Sequence, residues 1–301
     1  MGVTVVCLFF SYQNPEPGAF SLSLPTANSE VSDTGPLKFQ LQQLIQIKLK
    51  AHEAEHVSIY FRDLSNGSGF GIGEDYKFTP ASLMKVPVMI AHFKLAEDNP
   101  EHLNRKILFT GGPDHTGVQG FKPSQSIQRG QTYSIDELIH RMISFSDNNA
   151  LALLLRNIDE KSLFKVLDDL HVDYAPTADG GFVTLKNYAN FFQSLYNASY
   201  LGKEMSDHAL DFLAQEEFKQ GISAGVPQGT TVAAKFGEWA IGPHSEKRTL
   251  QQVGIVYFAG HPYLLGVETE GPQIDKLSSV IREISHEVYA QISANSDRRK
   301  T

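Results

Sequence analysis

The stretch Ala81–Ala96 (ASLMKVPVMIAHFKLA) most constrains the fold. Its pattern predicts a helix that is apolar on most sides, with Pro87 tolerated near its start. Such a helix belongs at the centre of a domain, so the rest of the chain has to wrap around it. Two of its polar residues stand at its beginning. Ser82 and Lys85 are three apart and would share a helix face. A lysine buried there can lose its proton and activate the serine hydroxyl as a nucleophile.

The elements around that helix follow from periodicity and punctuation. An amphipathic helix is expected over 37–55, a strand over 57–64, a turn at Asn66–Gly69 and a second strand from Gly69 to Gly73, the two strands forming a hairpin. Ser134 with Glu137 is a capping-box start for a helix reaching Phe145. Further helices are expected at 149–156, 162–170, 184–196 and 206–214. Three β-rich runs follow at 230–236, 252–258 and 263–268, and a closing helix at 273–293. The order is helix, two strands, a block of helices, three strands, helix. It implies an α+β fold with one five-stranded antiparallel sheet assembled from both ends of the chain, flanking helices, and an all-helical subdomain inserted at about 97–228.

With 301 residues and 41% hydrophobic content the chain can bury a full core. A net charge of −8 argues against nucleic acid as a partner. The single cysteine, Cys7, excludes an intramolecular disulfide. Gly2–Tyr12 is apolar and about as long as a signal-peptide core, but it lacks the usual basic flank and is too short to span a bilayer as a helix. It reads as an export signal or membrane anchor without its start, or else as a buried first strand. Residues 13–36, rich in Pro, Ser, Gly and Asn, read as a disordered linker. The folded domain is expected over 37–293, with a short tail at 294–301.

Two further motifs come after Ser82-x-x-Lys85: Ser146-Asp147-Asn148, and Lys235-Phe236-Gly237. Taken alone, Ser-Asp-Asn more often means a helix cap. The ordered trio S-x-x-K, S-D-N and K-T-G resembles the penicillin-recognising serine hydrolases, most nearly the class A β-lactamases. The resemblance covers residues 37–293 and implies the β-lactamase/transpeptidase-like fold. It implies that Ser82 is acylated, that Lys85 is a candidate base and that Ser146 relays a proton. Asn148 would bind the substrate amide and Lys235 its carboxylate. The oxyanion hole would use the backbone N–H groups of Ser82 and of Glu238, which follows Gly237. It also implies a monomer outside the cytoplasm, acting on a small molecule or peptide without a cofactor.

Two departures qualify this. The glutamate that drives water attack in class A enzymes has no counterpart in an E-x-x-L-N pattern. Asp159, Glu160, Asp168 and Asp169 read as solvated helix positions, and Asp179 as a turn former. Deacylation should therefore be slow. Phe236 replaces the family's hydroxyl, so either it and Trp239 line a more apolar pocket or they simply pack against the sheet. The expected function is a β-lactamase-like serine hydrolase. Alternatives are a D,D-peptidase-type enzyme and a non-catalytic wall-binding descendant. A competing motif, His52-Glu53-Ala54-Glu55-His56, matches the zinc pattern H-E-x-x-H. A polar helix end explains it more simply, and no metal site is expected.

Overall fold

In the computed structural model, residues 34–115, 119–174, 181–240 and 248–298 are described. The N-terminal signal-or-anchor expectation, the linker expectation up to residue 33, Asp179, and the end of the tail lie outside these residues; Gly35 and Pro36, expected in the linker, already belong to the first helix. No helix among the described residues is long and apolar enough to cross a membrane.

One five-stranded antiparallel sheet organises the chain, in the order β2–β1–β7–β6–β5. Strands β1 (His56–Asp63) and β2 (Gly69–Ile72) form the early hairpin. The later strands are β5 (Val232–Ala240), β6 (Arg248–Val256) and β7 (Tyr263–Gly271). Strand β7 pairs with both β1 and β6, which joins the two ends of the chain. A separate two-stranded ribbon of β3 (Lys106–Leu108) and β4 (Thr132–Ser134) was not anticipated. Its segments are too short to show a period of two.

The sheet's two faces carry separate cores. On one, Tyr263, Leu265 and Val267 of β7 meet helix α1 (Gly35–Lys50) and helix α9 (Ile274–Arg298). Leu277, Ile281, Ile284 and Val288 recur at helical spacing and give α9 its buried stripe. On the other face lies α2 (Lys85–Asp98), preceded by a 3-10 turn at Ala81–Met84. Val86, Met89, Ile90 and Phe93 are fully buried, as an all-round apolar helix requires. Around it pack α4 (Ile135–Ser144), α5 (Asn148–Leu155), α6 (Glu160–Asp169), α7 (Leu185–Asn197) and α8 (Lys203–Ala214), with the one-turn helix α3 (Glu101–Asn104) beside them. The expected capping box is present: Ser134 Oγ accepts from Glu137 N at 3.0 Å, and Glu137 Oε2 accepts from Ser134 N at 2.6 Å.

Several boundaries differ from expectation, among them β6, which starts at Arg248 rather than residue 252, and three that bear on the motifs. Helix α1 ends at Lys50, not near residue 55, because the chain turns back with His52 in the left-handed region at φ 53°. His52 then stands in a turn and His56 in β1, so the two histidines share no helix and the metalloprotease geometry is not formed. Ser82 lies in the 3-10 turn ahead of α2, not within an α-helix. Asp159 is the N-cap of α6, accepting from Ser162 N at 2.9 Å.

Candidate active site

The site forms where the start of α2, the start of α5 and the outer edge of β5 converge. Ala81, just before Ser82, is held at φ 48°, a conformation that costs an L-residue energy. The turn is fixed from two sides. Tyr188 of α7 donates its hydroxyl to the Leu83 carbonyl at 2.7 Å. Burial, then the nearby Glu216 carboxylate, hold that phenol well above its ordinary range, so it stays a donor. On the other side, Gly237 presses against the turn: a Cβ there would lie 2.6 Å from the Pro80 carbonyl oxygen. Glycine at this position is therefore required by close approach. Ser82 itself is partly exposed.

Lys85 is completely buried. Its ammonium nitrogen donates to the Ser146 carbonyl at 2.7 Å and to Ser146 Oγ at 2.9 Å. Burial, and next the charge of Lys235, push its pKa well below the lysine range, while Asp147 and Glu238 pull the other way. Ser146 is also strained, at φ 57°, and its carbonyl accepts a second bond from Gln119 Nε2 at 3.0 Å. Two of the non-glycine left-handed residues thus lie at this junction: Ala81 precedes Ser82, and Ser146 bonds Lys85.

The Ser-Asp-Asn motif serves two purposes. Asp147 is fully buried and caps α5 through Asn149 N at 2.8 Å; it also accepts from Ser126 Oγ and Ile127 N, each at 2.9 Å. The helix-cap meaning is therefore realised together with the site. Asn148 begins α5 and donates to the His115 carbonyl at 3.2 Å.

On β5, the Phe236 N–H donates to Glu216 Oε1 at 2.5 Å and so points away from β6, toward the open edge of the sheet. Alternation along a strand puts the Glu238 N–H on that same edge, beside the Ser82 turn. The Glu238 carboxylate accepts from Phe121 N at 2.7 Å, tying the 119–121 segment to the rim. The Lys235 ammonium is fully buried, 3.5 Å from Glu216 Oε1 and 4.2 Å from the Phe236 ring centroid. Burial drives Lys235 downward and Glu216 upward in pKa, each opposed by the other's charge. The Phe236 ring is buried, stacked on Phe218 at 4.6 Å and edge-on to Phe121 at 5.2 Å, so it packs rather than lining an open pocket.

Sequence reading named Ser82, Lys85, Ser146, Asn148, Lys235, Gly237 and Glu238, and these lie at this junction of α2, α5 and β5. It missed Glu216, Gln252, Gln119 and Tyr188. Gln252 donates to Glu216 Oε2 at 2.7 Å. Glu216 lies in the mostly polar run 215–220 just past the end of α8, which gives no warning that its side chain turns under β5.

The profile of the Beta-lactamase enzyme family matches residues 36–292, and the chain belongs to that family. No curated protein sequence matches. Among solved structures, a β-lactamase from Chitinophaga pinensis shares 17% identity over 86% of this chain and all of its own, with a TM-score of 0.74. A class A β-lactamase from Mycobacterium abscessus shares 21% over 85% of this chain and 99% of its own, TM-score 0.71. A mutant of PBP-A, solved as an acyl-enzyme complex with penicillin G, shares 22% over 86% and 97%, TM-score 0.71. These likenesses establish the class A β-lactamase fold.

Proposed function

We propose that the protein is a serine hydrolase acylated at Ser82, opening β-lactam or related amide and ester bonds and releasing the acyl group slowly. The observation that carries this reading is the bonding of Lys85. A neutral lysine amine has two N–H donors and one lone pair. Both donors are spent on Ser146, which leaves the lone pair for the Ser82 proton.

Ser82 Oγ attacks the substrate carbonyl carbon and Lys85 takes the hydroxyl proton. The oxyanion is held by the N–H groups of Ser82 and Glu238. As the bond to the leaving nitrogen or oxygen breaks, the proton passes from Lys85 through the Ser146 hydroxyl to that atom. Asn148 orients the acyl side chain. Water then has to release the acyl group, and the described residues between α5 and α7 supply no buried carboxylate as its base. Between α5 and α7 the described carboxylates are all exposed: Asp159 caps α6, Asp169 pairs with Lys165 at 2.9 Å, Asp173 accepts from Asn187 at 3.1 Å, and Glu160 and Asp168 face solvent. Family membership further supports an extracytoplasmic location.

Intact mass after incubation with penicillin G and with an active-site serine fluorophosphonate tests the reading. A long-lived adduct on the native protein, absent from Ser82→Ala, is expected. Hydrolysed penicillin without an adduct would mean that deacylation is fast. No adduct with either reagent would favour a non-catalytic descendant of the fold.

A further inference from the structure

The resemblance assigns Lys235 to a substrate carboxylate, but its surroundings on β5 argue for a different substrate. Among the described residues, the ammonium's ion-pair partner is Glu216, and that carboxylate is itself 2% exposed. Glu216 is fixed in place by Phe236 N–H and Gln252 Nε2. An incoming carboxylate at Lys235 would have to sit close to this fixed buried anion. Phe236 offers a ring where a hydroxyl would donate, and that ring is sealed between Phe218 and Phe121.

The wider charge balance points the same way. The Lys235–Glu216 pair sums to zero whether the shared proton sits on the amine or on the acid. Among the described residues, the other charged groups acting on the two lysines are Asp147 and Glu238, both acidic. The balance at the site is therefore negative whether Lys85 is neutral or charged. Lys219 acts on Glu216 from an exposed position, where solvent screens it. Like charges brought together at a binding site select against the wrong partner.

We infer that this site takes acyl donors carrying no carboxylate beside the scissile bond: neutral or cationic amides and esters, rather than free-acid penicillins or peptides ending in a free carboxylate. The inference rests on the Ser82 acyl-enzyme proposed above. Glu216 acts as the specificity determinant by cancelling Lys235.

The test compares second-order acylation rate constants for penicillin G and for its methyl ester, read by intact mass at two salt concentrations. The native protein should react with the ester faster by about tenfold or more. Added salt should speed the free acid and leave the ester unchanged, because screening weakens only the repulsion. Glu216→Gln keeps the shape and an acceptor for Phe236 N–H while uncovering the Lys235 charge. It should raise the free-acid rate and narrow the ratio by about fivefold or more. A native preference for the free acid, with no change in Glu216→Gln, would overturn the inference. The native ratio and its salt dependence stand even if the variant folds poorly. A fluorophosphonate keeps the two readings apart. If it labels Ser82 while the free acid is preferred, only the inference fails. If fluorophosphonate, acid and ester all leave Ser82 unlabelled, the acyl-enzyme reading fails and the inference falls with it.

Discussion

Lys48 and Lys235 are both lysines withdrawn from solvent beside glutamate, yet they are treated in opposite ways. Lys48, at the end of α1, donates to Glu53 Oε2 at 2.9 Å and to Glu283 Oε1 at 2.8 Å. Burial opposes its charge, but bonds to and attraction by Glu283 and Glu53 outweigh that, so its pKa is raised. Both partners reach solvent, at 30% and 38% side-chain exposure, and the group needs nothing more. Lys235 has, among the described residues, one glutamate at 3.5 Å and no closer partner, and its pKa is lowered by burial. Lys85 is more extreme, with its pKa pushed well below the lysine range. A lysine kept for stability is surrounded by acceptors. A lysine kept for chemistry is buried with too few, so that a proton can leave it or a charge can be tuned.

The largest test of this contrast is at the proposed nucleophile, Ser82, and its proposed base, Lys85. Ser82→Ala should abolish every covalent adduct. Lys85→Met should slow acylation by about 10²–10⁴-fold, the usual worth of a positioned base, while leaving the turn at Ser82 folded. The neutral amine is the active form, so the native acylation rate should rise with pH through the lowered pKa of Lys85 and level off below the ordinary lysine range, near 10.5. Replacing Lys235 with methionine removes the neighbouring positive charge that helps lower it, so the rising limb should move to higher pH. A limb that stays put in Lys235→Met, measured with the uncharged methyl ester, would disconnect the two lysines.

The next test is of stability. Glu216→Ala leaves a buried ammonium with no counter-charge and strips the acceptor from Phe236 N–H. Breaking a buried pair by removing one partner costs about 3–5 kcal/mol. Urea unfolding should show most of that loss for Glu216→Ala and much less for the double variant Glu216→Ala, Lys235→Met. Equal loss in both would mean that the carboxylate's bonds to Phe236 and Gln252, rather than the charge pair, carry the effect.

How much of this was legible depends on the range of the signal. The sheet, the central helix and the cap at Ser134 rest on local patterns, and each was readable. Ser82, Lys85, Ser146 and Lys235 were singled out because three short motifs stand in order, and the fold brings those motifs to one junction. What was not legible comes from long-range geometry. The left-handed residues Ala81 and Ser146 carry no local mark, because their strain is imposed by Gly237 packing on Pro80 and by Lys85 bonding to Ser146. Glu216 meets Lys235 only after β5 and the end of α8 are brought together. The early end of α1 was missed because the polar run His52–His56 is as compatible with a helix end as with a turn.

The smallest effect belongs to the rear lysine, and it sets the baseline for the front one. Lys48→Met removes two ion pairs whose acids are solvated, and such pairs are worth about 1 kcal/mol or less. The sign of its pH dependence is fixed by the direction of the shift. Because the folded-state pKa is raised, the stabilisation is complete below the unfolded value of 10.5 and is lost as pH rises through the folded value. Denaturation of the native protein and of Lys48→Met should therefore differ by a small constant amount up to about pH 9 and converge in more alkaline solution. Acylation by the methyl ester should be the same in both proteins. A change in that rate would join α1 to the site and blur the distinction drawn between the two lysines.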